Sequence, residues 1–260
     1  MVVFDIDGTI KEGLNPVSSD IVALIENIKQ KDCFVTYATG RMSRSARNNS
    51  GFTPNAPMIT YQGAQILDFN NFKPLKSSYL NKKFIDDIIE IAKLNNLKTM
   101  IQYPGKIFCD ENDEWLKEYA IRNEADFVLD KSYKKSKQSN PLRIVIVGDP
   151  KDIYNIEFLL NDKLNDDVYI TRSLPHFCEV LGTDSDKSNS IDWVCNYLNI
   201  DINKVVAFGD SYNDTKMLKA VGYGIAVNNS VKELKEVADE VLSIEGVEGI
   251  YQFLRNKINQ

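Results

Sequence analysis

Apolar and polar residues follow one another along the first third of the chain in blocks that predict strands separated by helices. The run VVF at 2–4 predicts a short buried strand, and CFVTYATGR at 33–41 predicts a second one. Between them, SSDIVALIENIKQK at 18–31 places apolar residues at the i, i+3, i+4 and i+7 spacing of an amphipathic helix. PMITY and AQIL predict further strands around a turn at Gln62–Gly63. Strands separated by helices favour parallel pairing in a layered α/β fold.

The last third of the chain repeats this alternation. Helices are predicted at SIDWVCNYL, DTKMLKAV, VKELKEVA and VEGIYQFLRNKI, and strands at VVAFGD, GIAV and EVLSI. The middle differs, because LKTMIQYPGKIFCDE predicts two adjacent strands around a Pro–Gly turn, and LRIVIVGD and VYITR add more. We therefore expect one α/β domain built from residues 1–78 and 181–260, with an α+β domain over residues 79–180 inserted between them.

Composition narrows the possible classes of function. The chain has 31 basic against 37 acidic residues and a net charge of −6, which argues against nucleic-acid binding, since phosphate contacts need clustered Lys and Arg. We find neither an apolar run of membrane-spanning length nor the pattern of a secretory signal peptide. Four cysteines without a CxxC pair indicate free thiols in a reducing compartment. These features predict a soluble cytoplasmic protein with no membrane partner, and they leave its oligomeric state open.

Candidate chemistry lies where the predicted strands end. Asp5 and Asp7 follow the first strand at a two-residue spacing that predicts side chains on the same side, although Asp7–Gly8 as a simple turn has about equal weight. Thr39 and Gly40 end the second strand and offer a hydroxyl and an approachable amide. Ligands bind beyond the carboxyl ends of strands in open parallel sheets. The pattern therefore predicts a site at that edge.

A third strand end adds to this cluster. FGDSYND places Asp210, Asn213 and Asp214 after a strand, and hard oxygen ligands of this kind favour Mg²⁺ over a softer metal. Lys187 is either a fixed positive charge at the site or an exposed lysine at a helix start. His176 is the only histidine, so acid–base chemistry falls to carboxylates, and we expect His176 itself to be packed or near a hinge.

DIDGTI, the threonine of TYATGR, Lys187 and GDSYND are similar, in this order, to the four motifs of the haloacid-dehalogenase superfamily of phosphatases. The α+β insert resembles the cap of the Cof-type, or type IIB, sugar-phosphatase branch. The resemblance implies a Rossmann-like three-layer sandwich core with a mainly parallel sheet, and a cap that closes over the site and selects the substrate.

The resemblance also implies a role for each candidate residue. Asp5 would attack phosphorus and become an aspartyl phosphate, and Asp7 would serve as general acid and then as general base. The remaining implied roles concern phosphate and Mg²⁺. Phosphoryl oxygens would be held by Thr39, Gly40, Lys187 and Asn213, and Mg²⁺ by the Asp5 carboxylate, the Asp7 backbone carbonyl and Asp210, with Asp214 nearby. Arg41 would meet an anionic part of the substrate or form a structural ion pair.

Two positions depart from the family pattern. Gln62 stands where the loop usually has Asn before Gly-Ala, and Ser188 stands where Gly usually follows the lysine. The main hypothesis is a Mg²⁺-dependent phosphomonoesterase acting on a small phosphorylated metabolite, such as a sugar phosphate. The alternatives are a phosphomutase or phosphotransferase that uses the same aspartyl phosphate, and a catalytically silent sensor that binds phosphometabolites.

Overall fold

The structure is a computed structural model that describes residues 1–258. Its strands are β1 Val2–Phe4, β2 Val35–Tyr37, β3 Met58–Thr60, β4 Gln65–Leu67, β5 Pro74–Ser77, β6 Lys98–Tyr103, β7 Lys106–Cys109, β8 Asp126–Leu129, β9 Arg143–Val147, β10 Tyr169–Thr171, β11 Phe177–Leu181, β12 Val206–Gly209, β13 Tyr223–Ala226 and β14 Glu240–Val241. Its α-helices are α1 Ser19–Gln30, α2 Ser43–Asn49, α3 Ile85–Leu94, α4 Glu114–Arg122, α5 Pro150–Leu164, α6 Lys187–Leu198, α7 Thr215–Ala220, α8 Lys232–Lys235 and α9 Gly246–Ile258.

A parallel sheet in the strand order β14-β13-β12-β1-β2 forms the centre of the α/β part. Side chains alternate between its faces: Phe4 joins the apolar core that contains buried residues of α1 and α9, and Val3 joins the core that contains those of α6 and α7. Helices therefore cover both faces of the sheet. The predicted α/β class, with a three-layer Rossmann-like core, is confirmed.

Helix α1 illustrates how the sequence pattern produces a helix that packs against the parallel sheet. Ser18 caps the helix by accepting a hydrogen bond from the Ile21 N–H at 3.3 Å, and Ile21, Ile25 and Ile28 are buried on one face. Complete burial of each such side chain contributes roughly 1.5–3 kcal/mol. Strand β2, five residues beyond the helix, can then pair in parallel with β1.

A second sheet, in the strand order β10-β11-β9-β6-β7-β8, is antiparallel except for the β7–β8 pair. The predicted Pro104–Gly105 turn joins β6 to β7, with Gly105 at φ +71°. Helices α3 and α5 pack on one face of this sheet, over Ile144 and Ile146. Helix α4 was not predicted; its start is marked by Asp113, whose carboxylate accepts a hydrogen bond from the Leu116 N–H at 3.0 Å. The α+β class of the insert is confirmed.

The chain divides into two compact units. The α/β unit contains residues 1–40 and 46–76 and continues from Asp186 through the rest of the described chain, and the α+β unit contains residues 41–45 and 77–185. The domain boundaries expected at 78/79 and 180/181 stay a prediction. No helix within residues 1–258 combines the length and hydrophobicity that a membrane crossing requires.

Candidate active site

The candidate site lies where three neighbouring strands of the parallel sheet end. Asp5 directly follows β1, Asp210 directly follows β12, and Thr39 lies two residues beyond β2. Because β1 pairs in parallel with both β12 and β2, these residues come to one edge of the sheet. This is the edge at which ligand binding was predicted.

Lys187 connects two of the carboxylates at this edge. Its Nζ atom lies 2.6 Å from Asp5 Oδ1 and 2.6 Å from Asp214 Oδ1, and the lysine side chain is only 1% exposed. Lys187 is the first residue of α6, and Asp186 caps that helix by accepting the Asn189 N–H at 2.7 Å. The cap fixes the start of the helix and thereby the point from which the lysine extends. Lys187 is therefore a buried charge, not an exposed lysine at a helix start.

The turn after β1 holds Asp210. The Thr9 hydroxyl donates to Asp210 Oδ1 at 2.9 Å. Gly8 has φ +86°, and a Cβ atom there would lie 2.7 Å from Asp210 Cγ. A side chain at position 8 would therefore be both strained and in collision with Asp210. Glycine is required because the backbone passes so close to this carboxylate.

Asp214 organises the turn that carries Asp210. Its Oδ2 accepts the backbone N–H groups of Asp210 at 3.0 Å and Ser211 at 3.1 Å, in a reciprocal capping box with Ser211. Its other oxygen accepts the ammonium of Lys187. Both oxygens are thus occupied by donors, so Asp214 is better suited to positioning its neighbours than to ligating an ion.

The cluster contains three carboxyl groups and one ammonium. Burial raises the pKa of Asp5 well above its ordinary value; Lys187 opposes this, and Asp214 and Asp210 reinforce it. Burial, followed by the charge of Asp214, raises the pKa of Asp210 to about 7. Burial alone would lower the pKa of Lys187, but Asp214 and Asp5 outweigh it and hold that pKa above its usual range. One ammonium therefore shares a buried space with three carboxylates.

The donor set fits magnesium. Carboxylate oxygens of Asp5 and Asp210 lie within 4.8 Å of each other, and an oxygen of the positioning residue Asp214 lies within the same distance of both. The second oxygens of Asp5 and Asp210 accept no hydrogen bond from the described part of the chain. Hard oxygen ligands with surplus negative charge suit a small divalent cation.

Asp7 and Thr39 differ in exposure. Asp7 is exposed, whereas Asp5 is 5% exposed. That both side chains lie on the same side stays a prediction. The charge of Asp7 still contributes to raising the pKa of Asp210. Thr39 is 1% exposed, and its backbone N–H donates to the Ile59 carbonyl at 3.0 Å.

Comparison with known proteins identifies the family. Residues 2–254 match the model of the haloacid dehalogenase-like hydrolases. The chain belongs to this family. Its motif residues are those that meet at the carboxyl edge of the parallel sheet, so the order of motifs read from the sequence and the geometry of the site agree.

Several relatives of this hydrolase are similar along almost their whole length. A Haemophilus influenzae protein, named provisionally as a phosphatase, is 26% identical over 264 residues, covering 98% of this chain and 97% of its own. The 5-amino-6-(5-phospho-D-ribitylamino)uracil phosphatase YcsE of Bacillus subtilis is 24% identical over 263 residues, covering 98% and 94%. The solved structure of a HAD subclass IIB sugar phosphatase has a TM-score of 0.81 at 17% identity and covers 98% of both chains. The prediction of a phosphatase of the haloacid-dehalogenase superfamily is confirmed.

Two other candidate residues of this hydrolase belong to the α+β unit. Arg41 donates from a terminal guanidinium nitrogen to the Ser45 hydroxyl at 2.9 Å. His176 is exposed, and its Nδ1 lies 3.0 Å from the Gly148 carbonyl oxygen. The packed alternative for His176 is wrong, because the turn before β11 leaves the imidazole at the surface, and its place near a hinge stays a prediction.

Sequence reasoning gave no role to two residues that this hydrolase places at the site. Thr9 belongs to the DIDGT motif, and its hydroxyl supports Asp210. Gln62 was noted only as a departure from the family pattern; it is 1% exposed and accepts a hydrogen bond from Asn213. The departure itself was the available signal for Gln62.

Proposed function

We propose that this haloacid dehalogenase-like hydrolase is a Mg²⁺-dependent phosphomonoesterase that acts on a small phosphorylated metabolite through an aspartyl phosphate. The observation that carries the proposal is the buried Lys187 ammonium, 2.6 Å from both Asp5 and Asp214 and beside Asp210 at the ends of parallel strands. A carboxylate nucleophile and a phosphate dianion repel each other, so a phosphatase needs this concentration of fixed charge before attack.

In the first half-reaction, a carboxylate oxygen of Asp5 attacks phosphorus. An Asp5–phosphorus bond forms as the ester P–O bond breaks, and Asp7 donates its proton to the departing alkoxide to give an alcohol. The exposure of Asp7 supports this role, since a general acid must reach a group on the substrate.

In the second half-reaction, the Asp7 carboxylate takes a proton from water while the water oxygen attacks phosphorus. The Asp5–phosphorus bond breaks, and inorganic phosphate leaves with Asp5 regenerated. Covalent catalysis divides one difficult displacement into two easier ones, and a positioned acid–base group contributes roughly 10²–10⁴-fold.

The remaining residues hold the transferring group. Thr39, Gly40, Lys187 and Asn213 would donate to the phosphoryl oxygens, which spread negative charge in the transition state. Magnesium would be held by Asp5, Asp210 and the Asp7 carbonyl, with Asp214 positioning Asp210. When bound, the ion supplies a Lewis acid that offsets the surplus negative charge of the site.

The substrate class rests on similarity. One relative is a phosphatase of a phosphorylated ribitylamino compound, and a structure with the same fold is a sugar phosphatase. We therefore propose a phosphorylated sugar or polyol as substrate. The four cysteines are all free thiols, three of them buried, which supports a cytoplasmic location as part of the same proposal.

Release of nitrophenol from an aryl phosphate, measured with and without a chelator, tests this function. We expect Mg²⁺-dependent turnover that the chelator abolishes and that Asp5→Asn reduces by at least roughly 10⁴-fold. Asp20→Asn, a matched change at the exposed start of α1, should leave turnover unchanged. Turnover that survives both the chelator and Asp5→Asn would contradict the proposal. Conversion of a sugar phosphate to an isomer with little free phosphate would identify a phosphomutase instead.

A further inference from the structure

The loop between β3 and β4 has an unusual backbone. Tyr61 has φ +51°, Gln62 has φ +61° and Gly63 has φ +106°, so three consecutive residues adopt positive φ and two of them are not glycine. Such conformations are disfavoured for residues with a Cβ atom, and they persist only where the surroundings over-determine them. Where they occur, they cluster at functional sites.

Hydrogen bonds hold this loop against two other elements of the α/β unit. The Gln62 N–H donates to the Thr39 carbonyl at 3.0 Å, which joins the loop to the end of β2. The Ser190 hydroxyl of α6 donates to the Gly63 carbonyl at 2.9 Å. The backbone of Gln62 is therefore fixed relative to both the predicted phosphate-binding threonine and the helix that begins with Lys187.

The side chain of Gln62 is equally confined. It is 1% exposed, and its Oε1 accepts a hydrogen bond from Asn213 Nδ2 at 2.9 Å. A Cβ atom at Gly40 would lie 2.9 Å from Gln62 Cδ, so only glycine leaves room for the Gln62 carboxamide at this place. Gln62 thus lies between Gly40 and Asn213, two residues proposed to bind phosphate.

Asn213 shows the consequence of this contact. Its Nδ2 donates to Gln62, while its Oδ1 is buried and has no hydrogen-bond partner among residues 1–258. A reversed carboxamide would place its oxygen against the carbonyl oxygen of Gln62, which is unfavourable. Gln62 therefore determines which end of the Asn213 carboxamide carries the N–H groups, and one of those two N–H groups remains for another acceptor.

We infer that Gln62 is a positioning residue for phosphate binding: its carbonyl oxygen orients the Asn213 carboxamide so that the second N–H of Asn213 Nδ2 donates to a phosphoryl oxygen. The inference rests on the proposed function. It also assigns a role to the residue at which this chain departs from the Asn-Gly-Ala pattern, because the longer Gln side chain reaches Asn213.

The test uses Gln62→Met, which keeps the length of the side chain and removes the hydrogen-bond acceptor. We expect KM for an aryl phosphate and the inhibition constant of inorganic phosphate to rise roughly tenfold, the effect of one lost hydrogen bond to a charged group, with kcat changed less than about threefold. Gln65→Met is the matched control, since Gln65 is also buried, begins β4 and has no assigned role in the site. Thermal unfolding of each variant reports whether it is folded.

A double-mutant cycle separates positioning from a general structural role. In Asn213→Ala, phosphate affinity should fall, and adding Gln62→Met should lower it by less than about a further twofold, because the group that Gln62 orients is gone. An undiminished tenfold effect in the Asn213→Ala background would overturn the inference. A fall in kcat with unchanged KM and inhibition constant, as in a variant with fewer correctly folded molecules, would overturn it too.

Direct binding of inorganic phosphate in the presence of Mg²⁺, measured by calorimetry, distinguishes this inference from the proposed function. A wild-type protein that binds phosphate but hydrolyses no ester would end the proposed function, while a tenfold weaker affinity of Gln62→Met would still support the role of Gln62. Equal phosphate affinity of Gln62→Met and wild type would overturn the inference even in an active phosphatase. A wild-type protein that binds no phosphate would overturn both.

Discussion

Buried charge is arranged differently in the two units of this hydrolase. In the α/β unit, the ammonium of Lys187 lies 2.6 Å from the carboxylates of both Asp5 and Asp214, with Asp210 close by. In the α+β unit, the guanidinium of Arg143 pairs with the carboxylate of Glu179. In both ion-paired groups the side chains are almost inaccessible, at 0–8% exposure for Lys187, Asp5 and Asp214 and 2–3% for Arg143 and Glu179.

The Arg143 pair is balanced and supported by neutral partners. Arg143 Nε donates to Gln102 Oε1 at 2.9 Å, and the Ser173 hydroxyl donates to Glu179. Buried charges are tolerated when they are paired and hydrogen-bonded in this way. The pair lies on adjacent strands of the sheet and has the features of a structural element.

The Lys187 cluster is not balanced. Burial and mutual repulsion raise the pKa values of Asp5 and Asp210, which means that the fold holds these carboxylates in an environment that disfavours their charge. Perturbed carboxylates of this kind concentrate at functional sites. The candidate site is therefore distinguished by its excess of carboxyl groups over cations, and not simply by the presence of buried charged groups.

The largest expected effect comes from removing the cation of each cluster. Lys187→Met and Arg143→Met each remove the cation paired with a buried carboxylate, and each should lower the free energy of unfolding by about 3–5 kcal/mol. Relative to wild type at the same Mg²⁺ concentration, millimolar Mg²⁺ should restore much of the loss in Lys187→Met, because a bound cation can replace the ammonium. It should leave the loss in Arg143→Met unchanged, because Mg²⁺ stabilises that variant and wild type alike. Urea unfolding of wild type and both variants, with and without Mg²⁺, measures these differences. An equal recovery of the two variants relative to wild type would remove the distinction between the clusters.

Removing one carboxylate from each cluster should change the free energy of unfolding by a smaller amount, with opposite signs in the two units. Asp5→Asn relieves repulsion among three acids and should raise the metal-free stability by roughly 0.5–2 kcal/mol, the usual range for relief of such strain at a functional site. Glu179→Gln removes the carboxylate that pairs with the buried Arg143 and should lower stability. Unfolding curves recorded in chelator give both values. A destabilised Asp5→Asn would show that the Lys187 cluster behaves like the balanced one.

Most helices and strands of the two units could be predicted from the sequence because the spacing of their apolar residues differs between a helix and a strand. The i, i+3, i+4 spacing of Ile21, Ile25 and Ile28 is local information, and it predicts α1 correctly. The weaker patterns failed at element ends: EVLSI contributes only Glu240–Val241 as strand, and VKELKEVA only Lys232–Lys235 as helix. Short elements lack enough residues for a period to specify their bounds.

The residues of the site could be predicted from the sequence motifs, but the contacts between their side chains could not. Asp5 and Lys187 are 182 positions apart, and Thr9 and Asp210 are 201 positions apart, so no local pattern connects either pair. The motif order indicated that they meet, since parallel strands bring their carboxyl ends together. The orientation of Gln62 depends on the positive φ of its loop, which is held by hydrogen bonds to Thr39 and Ser190 and is not encoded by sequence periodicity.

The smallest effect is expected at Asp130, a carboxylate whose charged form the fold stabilises, in contrast to the carboxylates of the Lys187 cluster. Asp130 is buried, which raises its pKa, but its carboxylate accepts the N–H groups of Ser136 and Lys135 at 2.9 Å each and the Ser136 hydroxyl at 3.1 Å. These hydrogen bonds outweigh burial and hold the pKa of Asp130 below its ordinary value of 3.8. The surroundings of Asp130 thus favour its charged form, the reverse of the situation at Asp5.

The sign of the pH dependence follows from this. A carboxyl group whose pKa is lower in the folded state stabilises the protein above its unfolded pKa, and that contribution disappears as pH falls through the folded pKa. Asp130→Asn should therefore cost about 1 kcal/mol near neutral pH, with the difference from wild type shrinking below about pH 3.8. Urea unfolding of both proteins over this range measures the difference. If the difference in free energy of unfolding between wild type and Asp130→Asn stayed constant below about pH 3.8, the hydrogen bonds of Asp130 would stabilise the protein equally with a neutral carboxyl group. The contrast with Asp5 would then not be electrostatic.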